Sequence, residues 1–127
     1  MDLLEQLVAS INTQNLPTLK IGYVSDEESF VVYPLPGSRA TKAYMDGTAE
    51  LVINYEIIHK SKDQELINAT LWQVQSYLEM IEDLPSTEYT FIGLEVTNKP
   101  YIQSLDTQGW YQSCIDIAIT IEIKENQ

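Results

Sequence analysis

Cysteine, histidine and basic residues are all scarce in this chain of 127 residues. A single cysteine, Cys114, leaves no partner for an intramolecular disulfide and no cysteine pair for a zinc site, so packing alone has to hold the fold. A single histidine, His59, narrows acid-base chemistry to one imidazole. Seven Lys and Arg stand against nineteen Asp and Glu, and the formal charge of −12 opposes extended contact with phosphate backbones or anionic lipid. Such a surface fits ordinary solubility, and it equally fits a duct through which DNA slides without sticking. No segment approaches the ~20 consecutive apolar residues a membrane span requires. The start, Met1-Asp2-Leu3-Leu4-Glu5, has no basic stretch ahead of an apolar run, so the expectation is a soluble protein made in a cytoplasm.

What the chain does have is a 44% hydrophobic content spread along its length, enough for one core and not two, which makes residues 1–127 a single domain. Eight Tyr and two Trp outnumber two Phe, and such amphipathic rings suit surfaces that are partly dry and partly wet; a tyrosine-rich sheet face would give the same count. Leu3, Leu4, Leu7, Val8 and Ile11 recur at helical spacing, with Asp2 as the N-cap and Glu5 as its capping-box partner. Residues 20–23 and 30–35 read as strands around the acidic turn Ser25-Asp26-Glu27-Glu28-Ser29. Residues 36–47 hold Pro36, Gly37 and Gly47 with no sustained period, and read as a long loop or arm.

The strongest strand of the first half is 48–60, with Ala49, Leu51, Ile53, Tyr55 and Ile57 on one face. Val52 and Ile58 interrupt its polar face, so part of that face is expected to be covered as well. Asp63 opens a long helix whose stripe is Ile67, Leu71, Val74, Leu78 and Ile81. Trp72 falls on the far side of that helix, among Glu65, Asn68, Glu79 and Asp83, and is expected to be exposed; a large ring there marks a contact, or else a loop folds over it. Residues 89–97 read as a strand broken by Asn98-Lys99-Pro100 before a linker to Gly109. A last strand alternates Ile115, Ile117, Ile119, Ile121 and Ile123 with Asp116, Ala118, Thr120, Glu122 and Lys124. The order implies an α+β fold: an antiparallel or mixed sheet of about four to five strands with two main helices packed on one face.

Chemistry-bearing constellations do not follow from the sequence. His59 lies on the packed strand face beside Lys60, Ser61 and Asp63, and adjacent residues on one backbone do not make a nucleophile, base and orienting acid. Cys114 reads as a buried small hydrophobe. Glu27 with Glu28 and Glu82 with Asp83 lack a ligand-loop pattern, Glu50 and Glu56 have no defined cleft between them, and Gly37 and Gly47 do not form a phosphate cradle. The expectation is no catalytic residue, no metal and no cofactor. Asn68-Ala69-Thr70 matches a glycosylation pattern inside a predicted helix and is taken as chance.

In the order of its segments the chain resembles the phage proteins called minor capsid proteins, whose fold is similar to that of the tail terminators of long-tailed phages. The resemblance rests on the Leu3-Leu4 start and on the strand from Ala49 to Ile57 leading into the Lys62-Asp63 helix. It continues through Tyr77-Leu78-Glu79 to Asp83-Leu84-Pro85-Ser86, then Glu95-Val96-Thr97-Asn98-Lys99-Pro100, and Gly109-Trp110-Tyr111 before the last strand, covering nearly the whole chain. It implies a non-catalytic virion protein. Copies form a ring, typically a hexamer, at the head-proximal end of the tail, between the tail tube protein and a head-completion or connector protein, with DNA only as passing cargo and no membrane.

On that footing Arg39, Lys42, Tyr44, Met45, Trp72 and Trp110 become the candidate protein-interface residues, because a closed ring needs one patch to meet a different patch on the next copy. Assembly would occur in the host cytoplasm before the protein joins the virion. A reading from another class is a non-viral adaptor module whose sheet edge captures a peptide or protein, and a third is a small acid-base enzyme.

Overall fold

The computed structural model describes residues 2–14, 16–25, 27–36, 39–43, 47–105 and 108–124. Two helices and six strands follow one another as α1 (Leu3–Ile11), β1 (Lys20–Ile21), β2 (Ser29–Pro34), β3 (Arg39–Ala43), β4 (Thr48–Ser61), α2 (Gln64–Met80), β5 (Thr90–Leu105) and β6 (Tyr111–Lys124). The sheet runs β1-β2-β4-β6-β5. Only β1 and β2 pair in parallel, so the sheet is mixed and the fold is α+β, as expected. β6 pairs with β4 along all of β4, from Thr48↔Lys124 to Ser61↔Tyr111. That leaves one flank of β4, which β2 shares with β3: β2 takes Tyr55 to Lys60 and β3 takes Ala49 to Val52.

Both helices cover the same face. Leu3, Leu7 and Ile11 of α1 and Ile67, Leu71, Val74 and Leu78 of α2 are buried against Phe30, Val32, Tyr55, Ile57, Ile115, Ile117, Ile119 and Ile121. The alternating isoleucines of β6 thus supply the floor of the core, each fully buried one contributing on the order of 1.5–3 kcal/mol. The Ser10 and Tyr77 hydroxyls hydrogen-bond and tie α1 to α2. Asn12 holds the entry to β1 at two points, accepting from the Leu19 N–H at 2.8 Å and donating to the Leu19 carbonyl at 3.1 Å.

α2 starts as its sequence dictates, with the Asp63 carboxylate accepting the Leu66 N–H at 3.1 Å, one of the orphan donors of a first turn. α1 does not. Asp2 is its N-cap residue, but no side-chain cap bond forms. The Asp2 carboxylate instead accepts from Ser86 Oγ at 2.6 Å, from beyond α2, and from Gln6 at 3.2 Å. A hydroxyl brought in by tertiary packing displaces the local capping box, and it also draws the Asp2 carboxyl below its ordinary pKa.

Two segments differ from their sequence reading. Residues 36–47, expected as an arm without regular structure, contain β3, with Arg39 opposite Val52 and Ala43 opposite Ala49. The five residues are too few for a visible period, and the lateral ladder offered by β4 decides the matter. Gly47, at φ 88°, takes the left-handed backbone position in the connection to β4. Residues 98–100 do not end β5 either; the strand continues to Leu105, with register irregularities between Val96 and Asn98 and between Asn98 and Tyr101. β5 is an edge strand, where a proline need not supply a ladder donor on its free side and an extra residue is absorbed as a bulge.

Candidate assembly interface

The outer face of α2 is the most conspicuous unpartnered surface among the described residues. Ile67, Leu71, Val74 and Leu78 take the inner side, which turns Trp72 outward with 52% of its surface exposed. Met80, two turns further on, is 79% exposed. Glu65, Asn68, Gln73, Ser76 and Glu79 surround them, all exposed, and α2 contains no Lys or Arg at all. The expected exposure of Trp72 is therefore met, and no loop among the described residues folds over it.

The other candidates divide. Arg39 and Lys42 lie on β3, opposite Val52 and Glu50 in the β4 ladder. Tyr44 and Met45 lie outside the described residues. Trp110 is half-buried just before β6, and its own chain covers it: Lys62 Nζ stands 4.9 Å and Lys60 Nζ 5.4 Å from the ring centroid, both within cation-π range. Lys60 also donates to the Ser25 carbonyl at 2.9 Å. The basic pair before α2 is thus engaged within the molecule.

The groups weighed for catalysis are placed apart from one another. His59 is 1% exposed, packed against Phe30 with ring centroids 5.1 Å apart, and its Nδ1 is without a hydrogen bond. Burial holds its pKa below the ordinary value, with Glu28 opposing the shift. Ser61 Oγ donates to Glu28 at 3.1 Å and accepts the Asp63 N–H at 3.1 Å. Ser61, Asp63 and His59 are therefore not in relay. A cavity of about 550 Å³ opens beside β1 and β2, lined in part by Lys20, Tyr23, Glu28, Phe30 and His59.

Sequence reasoning missed a carboxyl pair on the face of the sheet away from the helices. Glu56 of β4 and Asp116 of β6 are directly opposite in the ladder. Tyr33 donates its hydroxyl to Glu56, and Asn98 Nδ2 donates to Asp116 Oδ2 at 2.7 Å, leaving Asp116 Oδ1 buried without a partner. Val24, from the connection between β1 and β2, packs with Tyr33 against Val31, Ile58 and Cys114 beside this pair. Ligand atoms of Glu56, Cys114 and Asp116 lie within 4.8 Å of one another, the only set of three among the described residues close enough to hold a metal ion.

Two carboxylates so placed cannot both ionise at low cost. Burial first, and Asp116 second, push the Glu56 carboxyl above its ordinary pKa. The nearby Tyr33 hydroxyl is pushed up as well, by burial and by Glu56. Only the antiparallel register brings Glu56 and Asp116 together, sixty residues apart in sequence.

In a comparison with protein families, the family described as bacteriophage tail terminator protein matches residues 7–123. No curated protein matches the chain. No helix among the described residues is long and apolar enough to cross a membrane.

Proposed function

Because this chain belongs to the bacteriophage tail terminator family, we propose that its copies close into a ring, a hexamer, at the head-proximal end of a phage tail and join the tail to the head. The match over residues 7–123 carries the reading, since it spans α2, β1 to β5, the second half of α1 and all of β6 but Lys124. In this reading the protein is a non-catalytic virion component that assembles in the host cytoplasm. One side of the ring meets the tail tube protein and the other a head-completion or connector protein, with DNA only passing through. The charge of −12 supports passage, because a duct lined by such copies gives phosphate nothing to grip.

The alternative, an adaptor that captures a peptide on its sheet edge, has β5 as its longest free edge. Register irregularities at four places along β5, together with Lys99 and Pro100 within it, are devices that blunt an edge against strand addition. They count against that reading.

The test is a phage from which the gene has been removed, complemented or not with the wild-type chain. Electron microscopy of uncomplemented lysates is expected to show filled heads without tails and tails of irregular length. Normal tailed particles without the gene would overturn the proposal.

A further inference from the structure

We propose that the acidic outer face of α2, centred on Trp72, is the socket into which strand β3 of the next copy docks; the proposal rests on the ring reading above. The socket offers two exposed apolar side chains, Trp72 and Met80, within a helix that carries Glu65 and Glu79 and no cation. Its partner must therefore be basic as well as able to cover an indole.

The chain itself supplies one such element. β3 reads Arg39-Ala40-Thr41-Lys42-Ala43, two cations and no acid in a molecule with nineteen acidic and seven basic residues. Lys60 and Lys62, the other closely spaced cations, are engaged at Trp110. In the ladder register Lys42 is opposite Glu50 and Arg39 opposite Val52.

Placement in the sheet makes the contact a ring contact. β3 pairs on the β2 flank of β4, while α2 lies chiefly against β5, beyond β6 on the other flank. One copy thus carries the two patches on different elements of the fold. A patch that meets a different patch on its neighbour propagates by rotation, and closure gives a ring. A two-fold contact of α2 on α2 would instead oppose Glu65 and Glu79 to their own copies, a like-charge arrangement that costs affinity.

Two variants of the full chain test this, Trp72→Cys and Thr41→Cys, with native Cys114 buried. They are mixed and treated with a short bis-maleimide at concentrations where light scattering shows oligomer, or co-expressed in infected cells and treated on recovered tails if the free chain is monomeric. The mixture is expected to give a cross-linked dimer that neither variant gives alone. Trp72→Ala, and separately Arg39→Glu with Lys42→Glu, should each lower self-association by roughly tenfold or more, the loss typical of a buried aromatic or charged anchor. Adding Glu65→Lys and Glu79→Lys to the doubly reversed β3 should restore it.

Cross-linking of Trp72→Cys to itself, or to the tube or head partner and not to Thr41→Cys, would overturn the socket. So would unchanged association in both disrupted variants. Either result leaves the terminator reading standing, since that reading falls only if phage lacking the gene still make normal tails.

Discussion

The two ends of the β4–β6 ladder contain the same unusual feature and treat it differently. At one end Glu50 faces Glu122, and at the other Glu56 faces Asp116, in both cases acid directly opposite acid, an arrangement that destabilises a strand pair. The Glu50 end has helices on one face only, and Glu50, Val52, Thr120 and Glu122 remain half-exposed. The Glu56 end is covered on both faces, so Tyr55, Glu56, Ile57, Ile58 and His59 are all buried in succession. Water screens one pair, whereas in the other burial and the neighbouring Asp116 raise the Glu56 carboxyl. The difference comes from a few residues outside the ladder, chiefly Val24 and Tyr33, which turn half of an open sheet face into a second small core.

The largest effect that would break this comparison is a truncation repeated at each end of the same face. Ile58→Ala removes a side chain that is 3% exposed and should cost about 2–5 kcal/mol, because the cavity it leaves sits between the sheet and the β1–β2 connection. Val52→Ala, on the half-exposed end, should cost less than about 1 kcal/mol. Chemical denaturation of both variants checks the pair. Equal losses would mean that the second core does not exist as a packed unit.

The next effect is a dependence on pH. The Glu56 carboxyl is raised from its ordinary 4.5, so its favourable contribution is complete below that value and is lost as pH rises through the raised folded value. His59 runs the other way. Its folded pKa lies below the ordinary 6.5, so its contribution is present above 6.5 and is lost as pH falls through the folded value. Phe30 packs on the ring from β2, and Glu28 is the charged group that offsets the burial. Glu56→Gln keeps a hydrogen-bonding acceptor for Tyr33 and removes the ionisation. Thermal melts should show this variant gaining on the wild type as pH is raised above the ordinary carboxyl value of 4.5, while Glu50→Gln changes the melting temperature little. A constant offset between Glu56→Gln and wild type at every pH would show that the Glu56 carboxyl is not raised by its surroundings.

How much of this was legible in the residues depends on range. The α2 stripe and the isoleucine alternation of β6 are local periods, and they placed the core face correctly. Even the interruption at Ile58 pointed to a covered second face, because an isoleucine on a polar row needs something over it. β3 and the far half of β5 were not legible: Arg39 to Ala43 and Asn98 to Pro100 lack any pattern that favours a strand, and they become strands because β4 and β6 present ladders beside them. The Glu56–Asp116 pair needed the register as well. Any slip by two residues keeps the isoleucines inward yet changes which acid meets which. On the assembly side, the exposure of Trp72 followed from its angle on the helix, whereas the cover over Trp110 did not, since Lys60 and Lys62 reach it from another strand end.

The smallest effect separates the two tryptophans. Trp110 lies under two ammonium groups of its own chain, so removing one of them, as in Lys62→Ala, should cost about 0.5–1 kcal/mol and make the indole more accessible. Trp72 has no such cover among the described residues. Acrylamide quenching of Trp72→Phe reports Trp110 alone, and Trp110→Phe reports Trp72 alone. In the dissociated chain Trp72 should quench more strongly, and Lys62→Ala should raise the quenching of Trp110 only. Association of copies should then reverse the order: if α2 receives β3 of the neighbouring copy, the signal of Trp72 becomes protected while that of Trp110, already covered, stays where it was. Protection of Trp110 with Trp72 unchanged would place the contact at the β6 start and leave the α2 face open to water.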